Sequence, residues 1–420
     1  MLSRRNLLQG SGCALAAVAA RVRAEIAPDG FTVLRASAAG FDGAVPGPVI
    51  RVRRGEEVKM RLVNGLDDPM ALYWHGVRVP NAVEFHGAPA PNTRDGAPQR
   101  GMDGGAPLGG PLIAPGASFD YRFPVTDAGT FWYRAVPRGQ QERGLYGALV
   151  VAEPTPPTVD QDQLLVFADR PAEGDGARRL TLNGAATLDI PVRPNERLRL
   201  RFINASVAQV MKGRIADHRV VVMALDGEPA EPFTSRDGRV VLGPGNRADV
   251  FVDATLTPGA IAPIMLTHDG GEAPLARIVY EGPPARAAPL GEPAPLPSNP
   301  LPVRMNFSRA LRIALPIEAG DAAATVPASK PLFAAERGRT VVMALDNRND
   351  AAHVVHLHGH HFRLLDRLDD GWKPYWLDTI VVAGRQTARI AFVADNPGRW
   401  LIEQYALAAP AAGVSWFETK

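Results

Sequence analysis

The chain has 420 residues, with 46 Lys+Arg against 44 Asp+Glu, a formal net charge of +2, and 46% hydrophobic residues. That length admits two to four domains, and the balanced charge excludes a strongly basic nucleic-acid-binding surface. Glycine (41) and proline (39) are abundant, which favours many turns and few long helices.

The first residues read as an address. "SRRNLL" (3–8) carries paired arginines, and the small-residue apolar run "GSGCALAAVAA" ends before Arg21. This is the pattern of a twin-arginine signal peptide over residues 1–24, cleaved after Ala24. Cys13, the lone cysteine, lies inside it. The mature chain is therefore expected to hold neither thiol nor disulfide, although its compartment is oxidising. No other stretch reaches transmembrane length. The reading is a soluble periplasmic protein handed over by the Tat translocase.

Three stretches repeat. "GEEVKMRLVNGLDDP" starts at Gly55, "NERLRLRFINASVAQ" at Asn195 and "GRTVVMALDNRNDAA" at Gly338. Each runs from a polar turn through alternating apolar residues to an asparagine: Asn64, Asn204 and Asn347, separated by 140 and 143 residues. The alternation Val58, Met60, Leu62 and Leu198, Leu200, Phe202 predicts strands with one buried face. "ASFDYRFPVTDAGTFWY", "NRADVFVDATLTPGA" and "QTARIAFVADNPGRW" form a second recurring strand-and-turn element. Short strands with dense turn signals predict an all-β chain of Greek-key β-sandwiches.

The expected units are domain 1 at 25–153, domain 2 at 160–282 and domain 3 at 300–420, with a proline-rich linker at 283–299. The glycine-rich "DGAPQRGMDGGAPLGG" inside domain 1 reads as a mobile surface loop. The basic residues spread along strands read as a solvated face.

Longer strings carry a family resemblance. "VPGPVIRVRRGEEVKMRLVNGL", "ALYWHGVRVPNA", "AGTFWYRAVPRGQQERGLYGALVV", "HVVHLHGHHFRLL" and "NPGRWLIEQYALAAPAAGVSWFE" occur in the order of the motifs of multicopper oxidases. The chain resembles that family over its mature length. The resemblance implies three tandem cupredoxin-like sandwiches. In the family a type 1 copper bound by a thiolate takes electrons from substrate. A trinuclear cluster held by eight histidines between domains 1 and 3 reduces dioxygen.

Carried over residue by residue, the ligand set is depleted. His75 and His358 match type 3 positions, His356 a type 2 position and His353 a type 1 position. Tyr73 stands at a type 2 position, and Arg134, Val136, Glu403 and Tyr405 stand at type 3 positions. Gln404 replaces the thiolate, and Ala409 and Val414 replace the last type 1 histidine and the axial methionine. Each copper would keep one protein ligand, too few for tight binding. A guanidinium would repel a copper cluster, so Arg134 is expected to pair with Glu403, with Tyr73 and Tyr405 filling space.

The plain reading of the four histidines is an interface core of hydrogen-bonded side chains, with no cofactor. The alternative is a single Cu or Zn held by His75, His356 and His358. His360 and His361 extend a local histidine tract, although neighbouring strand residues face opposite ways. His86, His218 and His268 read as ordinary surface or core residues. "QERGLYGALVV" reads as a core strand after a glycine turn, and "RLDDGWKPYWLDTIVV" as strand-and-loop packing with exposed charges. A Tat-type leader, three cupredoxin-like domains and missing copper ligands together resemble the SufI-type cell-division proteins. That resemblance implies a non-catalytic scaffold with an unknown periplasmic partner, the division machinery being one candidate. The competing expectations are a divergent oxidase and a metal carrier using the 353–361 tract.

Overall fold

The computed structural model describes residues 25–81, 101–106, 108–171, 178–268, 271–302, 304–318, 327–365, 373–407 and 412–420. The expected leader with Cys13, together with His86, Ala409 and the first part of the glycine-rich insertion, lies outside the described residues. The described chain is nearly all-β, with one short helix, Arg138–Glu142, and two 3-10 turns. No helix among the described residues is long and apolar enough to cross a membrane.

Among the described residues six sheets pair off into three sandwiches. The first unit closes around Leu34, Met60 and Leu62 from one sheet and Trp74, Tyr133 and Leu149 from the other. In the second, Leu165 and Leu200 face Ile264 and Ile278. In the third, Met343 and Phe392 face Val355, Trp400 and Phe417.

The repeat seen in the sequence is one ladder built three times. Glu57–Asn64 pairs parallel with Thr32–Ser37 and antiparallel with Ser118–Pro124. Arg197–Asn204 does the same with Gln161–Pro171 and Arg247–Asp253, and Arg339–Asn347 with Leu311–Ile317 and Thr387–Ala394. The asparagine ending each central strand pins the following corner. Asn64 Nδ2 donates to the carbonyls of Asp68 and Ile113, Asn204 Nδ2 to Gln209 and Leu242, and Asn347 Nδ2 to Ala351 and Val382. Each Oδ1 accepts the backbone N–H two residues on, so each amide satisfies three backbone groups at its corner.

Two expectations need correction. Glu57–Asn64 follows the simple alternation, with Val58, Met60 and Leu62 buried and Lys59 exposed. Arg197–Asn204 is buried on both faces, because the strand Gly129–Ala135 of the first unit packs across it. The solvated-face reading therefore fails there. Arg199 pairs with Glu153 at 2.6 Å and Asp249 at 2.5 Å, and Arg201 with Asp162 at 2.6 Å. These arginines sit among the largest fully buried side chains. The glycine-rich insertion also departs from expectation. Met102 and Asp103 are buried, because the chain here is pressed against the strand Leu72–His75.

The proline-rich linker forms no strand but is strapped down. Leu296 packs on Val221, Met223 and Phe251, and Asn299 bonds Ala128 of the first unit and Glu228 of the second.

Candidate functional site

Strand alternation decides what faces the junction of the first and third units. In the first unit Leu72–His75 pairs with Gly129–Ala135, opposing Tyr73 to Arg134 and His75 to Trp132. Opposed residues share a face. Trp74 and Tyr133, on the other face, enter the core, so Tyr73, His75 and Arg134 point outward. In the third unit His353–Leu357 pairs with Gly398–Ala406, opposing His356 to Glu403 and Val354 to Tyr405. The outward face carries His356, Glu403 and Tyr405, while His353 and Gln404 lie on the face of Val355, which enters the core.

The two outward faces meet. Tyr73 stacks on His358 with ring centroids 4.0 Å apart, and its hydroxyl lies 2.5 Å from His356 Nε2. His75 stacks on His356 at 3.8 Å with planes 15° apart. The expected ion pair is present: Arg134 Nη2 lies 2.5 Å from Glu403 Oε2, and Arg134 also covers the Tyr73 ring at 4.9 Å.

Beneath the histidines lies a polar knot that the sequence reading missed. Asp378 is fully buried and chelated by Arg247, at 2.9 Å and 2.7 Å. Thr379 Oγ1 donates to Asp378 Oδ1 at 2.6 Å. Arg247 comes from the second unit and also donates to the Thr130 carbonyl of the first, so the knot joins all three. Asp378 sits in "WLDTIVV", whose charges were expected to be exposed; the chelating guanidinium makes its burial tolerable. Asp103, in the loop expected to be mobile, accepts from His358 Nδ1 at 2.9 Å. Gly104 and Gly105 permit that approach: a Cβ at Gly104 would lie 1.7 Å from the Leu72 carbonyl, and one at Gly105 2.9 Å from His358 Nδ1. An acid beside paired glycines was the one available signal.

These contacts assign the protons. His356 Nδ1 faces the Asp378 carbonyl at 3.0 Å, which only accepts, so Nδ1 carries the hydrogen. Its Nε2 lone pair then accepts the Tyr73 hydroxyl. Thr379 spends its proton on Asp378, so His75 Nε2 donates to Thr379 Oγ1 at 3.2 Å. Burial holds the His75 and His356 imidazoles below their ordinary range and Tyr73 well above its own. For His358 burial pulls the same way, but the Asp103 and Glu403 carboxylates outweigh it and push the imidazole up to about 9. For Glu403 burial is outweighed by Arg134, which holds the carboxyl well below the usual range.

A trinuclear copper cluster does not fit these residues. The lone pair that His356 would offer is taken by Tyr73, His358 is cationic between two carboxylates, and Arg134 is a permanent cation at the same place. Val136 offers no donor and uses its N–H on the Ala71 carbonyl. At the type 1 position Gln404 bonds Ser415, and His353 Nδ1 faces the Ala351 carbonyl. Val414 lies opposite Glu403 across the neighbouring strand.

The expected trio of His75, His356 and His358 is altered too. Among the described residues, the three groups whose donor atoms lie within 4.8 Å of one another are His75, His356 and Asp378. A ligating lone pair lies in its ring plane, and two nearly parallel rings 3.8 Å apart do not aim at one ion. One ring would have to turn. The histidine tract also disperses. His360 packs against Phe392, Trp400 and Phe417, whereas His361 faces Glu228 and Asp378. Tyr405 lies apart from Tyr73, under Arg138 at 3.7 Å, with its hydroxyl on the Pro244 carbonyl.

Comparison with known proteins gives a consistent relationship. Three multicopper oxidase family models match residues 23–156, 132–262 and 297–403. The chain is 27% identical to the multicopper oxidase MmcO of Mycobacterium tuberculosis, over 86% of this chain and 79% of that protein. It spans less than half the length of several other curated relatives that it matches. Among solved structures it resembles Lac15 from a marine microbial metagenome, at 31% identity and TM-score 0.75, covering 90% of this chain and 93% of that one. It also resembles a multi-copper oxidase from Pseudomonas thermotolerans, at 27% identity and TM-score 0.78, covering 92% and 98%. The chain belongs to the multicopper oxidase family.

Proposed function

We propose that this chain is a copper-free, non-catalytic member of its family that works as a scaffold or binding partner. The observation that carries the reading is the Tyr73 hydroxyl on His356 Nε2, beside the Arg134–Glu403 pair. Together they use the donor and the space that copper would need. The twin-arginine leader supports a periplasmic site of action, and the pattern of ligand loss supports a partner in the division machinery. Elemental analysis of mature protein from periplasm, challenged with excess Cu and Zn, tests the first claim. No retained metal and no turnover of phenols or cuprous ion are expected. Septal localisation and filamentation on deletion test the second, and a uniform periplasmic distribution with normal division would refute it.

A second reading has one observation in its favour. The donor atoms of His75, His356 and Asp378 lie within 4.8 Å of one another, and relatives bear the names of oxidases. One Cu or Zn per chain, lost in His75→Ala and Asp378→Asn, would establish it and overturn the copper-free reading.

A further inference from the structure

We propose that the Arg134–Glu403 pair and the Tyr73–His356 bond form a staple that holds the first unit on the third without any ion. The proposal rests on the copper-free reading of the same site and says what the replaced ligands now do. Among the described residues no sheet continues from one unit into another, so no backbone ladder there joins the first unit to the third. Cohesion falls to side chains. Arg78 with Asp395, Asn81 with the Arg399 carbonyl and the Val79 carbonyl with Asn396 cross at the rim, and four polar contacts cross side by side at the histidines: His75 with Thr379, Tyr73 with His356, Asp103 with His358, and Arg134 with Glu403. In each, the first partner belongs to the first unit and the second to the third.

The chemistry suits a structural role. Arg134 and Glu403 are opposite charges in direct contact, so the pair is balanced although it is buried. The Tyr73 ring fills the space between, stacked on His358 and covered by the Arg134 guanidinium. Two of the replacements are thus each other's partner, and a third, Tyr73, contacts three retained histidines. Random decay of a metal site would leave unpaired buried charge, and charge left that way is strongly destabilising.

A double-mutant cycle tests this on the full mature chain: Arg134→Met, Glu403→Gln, and the double Arg134→Met/Glu403→Gln. The readouts are the thermal midpoint, hydrogen exchange in Leu72–His75 and His353–Leu357, and metal content of the same samples. Each single variant should lower the midpoint by roughly 5 °C or more. The double variant should lose clearly less than the sum, and exchange should rise on both sides of the junction. Tyr73→Phe keeps the ring and removes the hydroxyl, so it should fold and still speed exchange at His353–Leu357. Additive losses, or unchanged exchange in Tyr73→Phe, would overturn the staple. Metal bound by the wild-type chain would instead overturn the copper-free reading, whatever the coupling between Arg134 and Glu403.

Discussion

Arg247 and Arg277 offer a matched comparison of what burial does to an ion pair. Both grip an aspartate with two hydrogen bonds: Arg247 holds Asp378 at 2.9 Å and 2.7 Å, and Arg277 holds Asp189 at 2.7 Å and 2.6 Å. The geometry is nearly the same, but the side-chain exposures are 0% and 1% for the first pair and 48% and 50% for the second. Methionine in place of either arginine keeps an apolar stem and removes the charge. At Arg247 this strands a buried carboxylate and removes the guanidinium bonds to the Thr130 and Asp226 carbonyls. Losing one partner of a buried pair costs about 3–5 kcal/mol. At Arg277 water takes over solvation of Asp189, and no measurable change is expected. The assay is urea unfolding of Arg247→Met and Arg277→Met beside the parent, read as the shift in midpoint. Equal shifts for the two variants would refute the argument that burial, rather than bond geometry, sets the cost.

Other outcomes follow from single contacts. Asn204→Ala should destabilise the second unit by about 1–3 kcal/mol, because it strips the Asn204 donor from the buried Leu242 carbonyl; unfolding followed by hydrogen exchange in that unit checks it. Gly104→Ala should cost more than about 1 kcal/mol, since residue 104 has φ +80° and its Cβ would strike the Leu72 carbonyl. Its readout is the melting point, with loss of the Asp103–His358 contact seen in the His358 ring signals. The His358 imidazole is raised from its ordinary 6.5 to about 9, so folding is favoured by the proton it holds. That contribution, about 3 kcal/mol, is complete below pH 6.5 and is lost as pH rises through about 9. A thermal midpoint that climbs between those two pH values, once Asp103→Asn is used to isolate the His358 contribution, would contradict it.

Much of this protein is legible in its residues alone. Period-2 alternation in Val58, Met60 and Leu62, repeated with an asparagine after each such strand, is a local pattern, and local patterns survive into the fold. The Arg134–Glu403 pair was also readable, because two charged residues at motif positions that face one another in the family need each other. What the sequence could not decide depended on packing between distant segments. Alternation predicts which residues leave a core but not whether water or another unit meets them, so Arg199 and Arg201 looked solvated and are buried. Asp103 and Asp378 carry no spacing to any histidine; only the tertiary structure brings them within reach of His358 and His356. The proton on His356 is settled by an Asp378 carbonyl 22 residues away and a tyrosine 283 away. Hydrogen-bond direction at a buried imidazole is a property of its neighbours in space, and sequence order does not record them.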